Sequence, residues 1–477
     1  MKNTAKNILL ALLLLVVTVP VAQAARKENY RFVLTIDGNK DSVIMLGHYY
    51  ASGNRVIDTA RRDNRGRFVF SGNEILKPGM YFFVNEKGNY VEFVVYNESP
   101  FFTFHTEQDD WTLRMKVEGS RQNTLMFNYQ RMLERIYSDI ESQKATMDSA
   151  QLASFAPRAV AIIDSARLDF VNTYPNSMVA RVMKATLPPE VPVADPDGTP
   201  WSREQRREYY LDHYFDNIPL DDEMIIRTPK NVFYQRVMDY IDNALKYAMP
   251  DEVERHLDTI LNRATPDGDV YQWLLLTFAQ KYLQSNVMSY DQVYVHLILK
   301  YYANAEWASP SSVEQEVDRA TKWERLLIGK EAPELMMYDT LRYLHSLHRM
   351  PADYKLLIFW SPSCGHCKEI IPQVYEKFVE YSQTVSIGAY AVLTEPDTNS
   401  VKQWKKFIKE HGIDNTRWIN LNGGEANIDW RDVYDVQTTP QIYLLNAENE
   451  IIAKKLDAHL FELVMQSVTK EDNTTKQ

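Results

Sequence analysis

The stretch Phe359-Trp360-Ser361-Pro362-Ser363-Cys364-Gly365-His366-Cys367 holds the only two cysteines in a chain of 477 residues. They stand as C-x-x-C, directly after the apolar run Lys355 to Trp360 and directly before a helical pattern that continues through Phe378. A pair so placed reads as a redox couple rather than a staple. A disulfide across two intervening residues closes almost no loop and adds little stability.

A cysteine in the first turn of a helix faces unpaired backbone N–H groups and the positive end of the helix dipole, which lowers its pKa. Cys364 has that position and is read as the nucleophile. Cys367 shares its helical face about one turn deeper, which suits a resolving thiol. Gly365 and His366 tune the pair: a protonated imidazole favours the thiolate, and a stabilised thiolate makes the disulfide more oxidising. Zinc is the competing reading, but it needs about four ligands, so His345 and His348 would have to complete the set. Iron–sulfur clusters want four thiolates, and covalent haem needs histidine directly after the second cysteine, where Lys368 stands. No cofactor and no metal is expected.

Working outward, Val385 to Leu393 is a second apolar strand, and Ser400 is placed to cap a helix carrying Val401, Trp404, Phe407 and Ile408 on one face. Gln441 to Leu445 and Ile451 to Lys454 form a hairpin-like pair, and a last helix starts at about Ala458. A parallel pair first and an antiparallel pair last make residues 326–470 an α/β sandwich, followed by the polar tail 471–477. Residues 119–325 read as an all-α domain, with apolar residues at three- and four-residue intervals in Asn231 to Ala248, Val270 to Leu283 and Asp291 to Tyr302. The proline-rich loop Pro188 to Pro200 divides it into two helical halves. Residues 26–118 read as a small all-β, sandwich-like domain, from the alternation of Tyr30, Phe32, Leu34 and Ile36 and from turn signals such as Asp37-Gly38-Asn39. The fold class is therefore multi-domain: β, then α, then α/β.

Residues 1–25 read as a secretory signal peptide, with Lys2 and Lys6 ahead of the apolar run Ile8 to Val19 and Ala22-Gln23-Ala24 as the cleavage site. That run would rise about 18 Å as a helix, short of the ~30 Å hydrocarbon core, so cleavage rather than anchoring is expected and no integral membrane segment is expected to remain. The 53 Lys and Arg against 64 Asp and Glu give a formal charge of −11, which loss of Lys2 and Lys6 takes to −13. An acidic chain without a long basic run excludes nucleic acid as an expected partner. The expected compartment is the periplasm or cell envelope.

At these residues the C-terminal segment resembles the thioredoxin superfamily, in the envelope branch related to cytochrome c maturation. The likeness rests on Phe359-Trp360, Cys364-Gly365-His366-Cys367, Pro372 five residues later, Thr438-Thr439-Pro440 before a late apolar strand, and Ile328-Gly329-Lys330-Glu331-Ala332-Pro333, which is similar to the opening segment of the peroxidase-like and envelope proteins. The resemblance implies a cis Pro440 beside the cysteines, with Trp360, Thr439 and Pro440 forming a substrate groove. Family members with a buried carboxylate six residues before the first cysteine use it to move protons. Ile358 stands there, so proton relay falls to water, His366 or Glu369. The longer stretch before Pro440 fits an insertion around Trp404 to Trp418. The three-part layout is also similar to multi-domain envelope proteins of anaerobic Gram-negative bacteria.

The expected activity is thiol–disulfide exchange on protein substrates, in the reducing direction usual for that branch, with an envelope electron donor. The His366 dipeptide leans toward isomerase or oxidase instead. Peroxidase would want proline seven and threonine three residues before the reactive cysteine, where Leu357 and Ser361 stand. A binding scaffold with a tethering cysteine pair is the non-catalytic alternative.

Overall fold

The computed structural model describes residues 28–475, so the export signal expected at 1–25 lies outside the described residues. Contacts divide the chain into two compact units. The first holds the described residues up to Arg206 together with His213–Asp239, and the second holds Arg207–Asp212 and everything described from Tyr240 onward. The division falls inside the helical segment rather than at its ends.

In the first unit, β1 (Tyr30–Asp37), β2 (Val43–Tyr50), β3 (Gly53–Arg61), β4 (Arg67–Gly72), β5 (Gly79–Asn85), β6 (Tyr90–Val95), β7 (Phe101–Glu107) and β8 (Lys116–Glu118) form two four-stranded sheets. Their orders are β4-β1-β7-β8 and β3-β2-β5-β6. Because strand side chains alternate, β1 buries Tyr30, Phe32, Leu34 and Ile36 on one face, and β7 buries Phe102 and Phe104. Phe32 and Phe104 of one sheet meet Phe93 and Phe83 of the other with ring centroids 5.1 and 5.3 Å apart. These aromatic side chains form the core between the two sheets. The helix Arg121–Lys144 follows, capped by Ser120, and its fully buried Asn123 pairs by its side-chain amide with both backbone groups of Val94 at 2.7 and 2.8 Å. A helix thereby covers the edge strand β6.

The apolar pattern Asn231 to Ala248 does not make one α-helix. Tyr234–Asp239 is α-helical, Tyr240–Ala244 is a π-helical turn closed by Leu245 N–H on the Tyr240 carbonyl at 2.9 Å, and the boundary between the units falls between them.

The second unit begins with the helices Pro250–Arg263, Asp269–Leu283, Asp291–Lys300 and Pro310–Glu324. They are followed by a seven-stranded sheet of β9 (Met336–Asp339), β10 (Leu344–Ser346), β11 (Tyr354–Trp360), β12 (Ile387–Leu393), β13 (Trp418–Ala426), β14 (Gln441–Leu445) and β15 (Ile451–Lys454), in the order β10-β9-β13-β12-β11-β14-β15. β11, β12 and β13 are parallel, while β14 is antiparallel to both β11 and β15. Every residue of β11 and β12 is buried, as both faces of a parallel sheet are covered. Leu356, Ile358 and Trp360 face one core cluster with Cys367 and Trp404, and Leu357 and Phe359 face another with Tyr390, Trp430 and Tyr434. Strands β9, β10 and β13 were not expected from sequence. The helix placed at Ser400 is Thr398–Glu410, capped by Asp397, whose carboxylate accepts from the Asn399 and Ser400 backbone N–H groups.

Candidate active site

Trp360 at the end of β11 stands opposite Leu393 at the end of β12. The loops that follow these parallel strands leave the same edge of the sheet, which is where open α/β sheets assemble their sites. Behind β11, Ser361 to Ser363 turn the chain, and Cys364 is the N-cap of the helix Gly365–Tyr381. Its sulfur accepts from the Cys367 backbone N–H at 3.4 Å and, when protonated, donates to the Thr439 carbonyl at 3.3 Å. Cys364 is partly exposed, whereas Cys367 is fully buried in the core. The Thr439-Pro440 bond is cis, and both residues are partly exposed beside the cysteine pair.

The two thiols differ for physical reasons. Partial burial pushes the Cys364 thiol up, but the Cys367 backbone N–H and side chain, the Thr439 hydroxyl and the His366 backbone N–H outweigh it and hold Cys364 below the ordinary thiol value. Burial pushes the Cys367 thiol up to about 12, and the adjacent Cys364 adds to the rise against the opposing Ser361 backbone N–H and Thr439 hydroxyl. One sulfur is a ready nucleophile; the other is held in reserve.

Of the tuning residues, His366 is exposed, and the group by which it reaches Cys364 is its backbone N–H. Proline is tolerated in a first helical turn but has no N–H. In His366→Pro the Cys364 thiolate loses a donor, so the couple becomes more reducing by tens of millivolts, where ~30 mV is a factor of ten in the equilibrium constant. Equilibration of the purified protein with glutathione buffers reads the change, and an unaltered potential would show that this N–H does not set it. Nothing lies within 4 Å of where a Gly365 Cβ would sit, so that glycine leaves the approach to Cys364 open without meeting a backbone need.

One expectation needs correcting. Trp360 is completely buried and packs on Phe407 at 5.2 Å, so it supports the site from inside the core and does not line a groove. Glu369 is exposed and two residues beyond Cys367, a spacing that puts it on a different helix face from that sulfur. His345 and His348 bond to Asp339 at 3.0 Å and to the Ala332 carbonyl at 2.7 Å instead of completing a cysteine site.

The structure adds a carboxylate that sequence reasoning missed. Glu395, in the loop after β12, accepts from the hydroxyls of Ser361, at 2.5 Å, and Ser363. Those hydroxyls hold its carboxyl below the usual range, so it is a fixed anion at neutral pH and not a proton donor. It clamps the turn whose Ser361 N–H faces Cys367. The signal available was positional: the loops after two apolar parallel strands must meet at one sheet edge.

Among family models, residues 30–126 match DUF4369 and residues 166–322 match DUF5106, both described as domains of unknown function. No curated protein matches the chain. Among solved structures, a thioredoxin-like protein from Bacteroides caccae is 21% identical, with 58% of this chain and 97% of that one covered and a TM-score of 0.47. A domain of a possible thiol-disulfide isomerase from Cytophaga hutchinsonii is 30% identical over 31% of this chain and 97% of that one, with a TM-score of 0.28. The thioredoxin domain of a thiol-disulfide oxidoreductase from Bacteroides vulgatus is 26% identical over 30% of this chain and 97% of that one, with a TM-score of 0.26. The chain is thus similar, over part of its length, to thioredoxin-like thiol-disulfide oxidoreductases.

Proposed function

We propose that this protein is an exported thiol–disulfide oxidoreductase whose last 150 or so residues form a thioredoxin-like domain, with Cys364 and Cys367 as its redox pair. The observation that carries the reading is the asymmetry of the pair: a partly exposed, acidified Cys364 capping a helix above a fully buried, basic Cys367, with the Thr439 carbonyl alongside. The Cys364 thiolate attacks a substrate disulfide, forming a mixed disulfide and expelling one substrate thiolate. Cys367 then loses its proton and attacks the Cys364 sulfur, expelling the second thiolate. The substrate gains two electrons and two protons, and the protein keeps a Cys364–Cys367 disulfide. A dithiol donor in the cell envelope returns the pair to the reduced state.

Reduction is the first reading, with protein disulfides as substrates. Isomerase or oxidase activity is the second, favoured by the lowered Cys364 pKa, since a stabilised thiolate makes the disulfide more oxidising. Among the described residues no helix is long and apolar enough to cross a membrane. Periplasmic location rests on the sequence of residues 1–25.

Alkylation rate against pH tests the asymmetry. The rate follows the thiolate fraction, so a lowered pKa moves the rise to lower pH. Cys364, measured in Cys367→Ser, should reach half its plateau below the free-thiol value of about 8.5. In Cys364→Ser, Cys367 should be alkylated far more slowly than Cys364 across the same pH range, because it is fully buried and burial is the largest cause of its raised pKa. Two coincident profiles at the free-thiol value would refute the assignment, and insulin reduction under a dithiol donor then separates an oxidoreductase from a scaffold.

A further inference from the structure

A cleft of about 600 Å³ opens beside the cysteine pair, and His366, Thr438 and Pro440 are among its lining residues. It lies wholly inside the second unit, but the sheet region does not build it alone: Asp291 from the helix Asp291–Lys300 and Trp323 from the helix Pro310–Glu324 also line it. The two helices are fixed there by specific bonds. Trp323 Nε1 donates to Asp435 at 2.6 Å, and the Asp291 carboxylate holds the Lys454 ammonium.

The cleft has unused acceptor capacity on Asp291, whereas its lysines are bonded within the protein. Both lysines that line it are committed, Lys454 to Asp291 Oδ2 and the Leu326 carbonyl, and Lys455 to the Ser285 carbonyl at 2.7 Å. Asp291 is the opposite case: its side chain is only 6% exposed, yet Oδ1 has no hydrogen-bond partner. A buried carboxylate oxygen left without a donor is costly, and a ligand that brings one recovers that cost. Asp435 and Asp457 line the same cleft, giving three carboxylates to the two committed ammonium groups. Trp323 and Tyr443 add aromatic surface of the kind that packs on an aliphatic stem or a cation.

We propose that this cleft is a specificity subsite that takes a lysine or arginine side chain of the substrate polypeptide, within about three residues of the cysteine that Cys364 attacks, a reach of about 10 Å for extended chain. The proposal rests on the redox reading above and names the substrate feature that reading leaves open. The helical elements that precede the sheet thereby acquire a role in the second unit: they supply the wall that selects substrate.

The test uses the full-length reduced protein and synthetic peptides, each carrying one cysteine in mixed disulfide with a small neutral thiol. Lysine, leucine or glutamate is placed at each of three positions on either side of that cysteine. Cys364 takes the peptide sulfur and releases the small thiol, Cys367 releases the peptide thiol, and dithiothreitol reduces the resulting Cys364–Cys367 disulfide. In one register lysine should exceed leucine in kcat/KM by about tenfold, the scale of one hydrogen bond to a charged group, with glutamate lower still. Asp291→Asn should collapse the lysine-to-leucine ratio toward one. Should that variant fold poorly, the double substitution Asp291→Leu with Lys454→Met removes both charges together and should give the same collapse. Reduction of every peptide at one rate by the wild type, or a lysine preference that survives both variants, overturns the subsite and leaves the redox reading standing. Failure of the wild type to react with any peptide and with the neutral dithiodipyridine overturns both.

Discussion

Replacing Cys364 by serine should lower disulfide turnover by about three orders of magnitude or more, because no other group at the site can take its place as nucleophile. The only other thiol in the sequence is Cys367, which is fully buried and whose pKa is pushed up to about 12. Burial, the largest cause of that rise, persists in the variant, so even a substrate that reached Cys367 would meet little thiolate at neutral pH. Cys367→Ser should behave differently. Its Cys364 still attacks, but nothing resolves the product, and a mixed disulfide accumulates with one substrate per protein. The rise in the Cys367 pKa comes first from burial and then in part from the neighbouring Cys364 sulfur. Once Cys364 is tied in a mixed disulfide it carries no charge, so that part of the rise disappears and the resolving thiol becomes easier to ionise at the moment it is needed. Non-reducing gels and intact mass after incubation with a protein disulfide check both variants. A Cys364→Ser protein that still turns over, or a Cys367→Ser protein that leaves no adduct, would reverse the assigned roles.

The redox pair was legible because everything that defines it is local. Four consecutive residues, an apolar strand before them and a helical pattern after them suffice to place one cysteine at a helix terminus and the other a turn inside it. Strands Gln441–Leu445 and Ile451–Lys454 were legible for a similar reason, being short apolar runs separated by a polar turn. What could not be read depends on relations across the sheet. Trp418–Ala426 contains Asn420, Asn422, Gly423 and Gly424, poor strand formers, and becomes a strand because β12 offers it a parallel edge. Glu395 lies 34 residues from Ser361 and reaches it only because Trp360 and Leu393 are in register. Trp360 was misplaced for the complementary reason: proximity to the cysteines in sequence suggested the groove, whereas β11 is covered on both faces and its last side chain lies in the core. The helical segment showed periodicity but not partition. Its apolar pattern is continuous through Tyr240, and the π-helical turn that ends the regular helix there leaves no signal in the spacing of hydrophobic residues.

Lys454→Met should destabilise the second unit by about 3 to 5 kcal/mol, the range for removing one partner of a buried ion pair. Lys454 and Asp291 have side chains only 6% exposed, and they join a strand of the sheet to a helix that precedes it in sequence. With methionine at 454 the Asp291 carboxylate keeps the cost of burial and loses its counter-charge, while its Oδ1 already has no partner. The Leu326 carbonyl loses the Lys454 donor at the same time. Asp291→Leu combined with Lys454→Met should recover most of the loss, since two apolar side chains of similar size leave neither charge stranded. The chain has two units, so a single unfolding midpoint would mix their transitions. Cys367 offers a cleaner probe. It is fully buried in the core of the sheet region, so in a Cys364→Ser background it is the only thiol and becomes labelled only when that core opens. Labelling against urea should shift to lower denaturant in the single variant and return toward the parent in the double. A double variant as weak as the single would mean that volume or helix packing at Asp291, rather than the stranded charge, governs the stability of this contact.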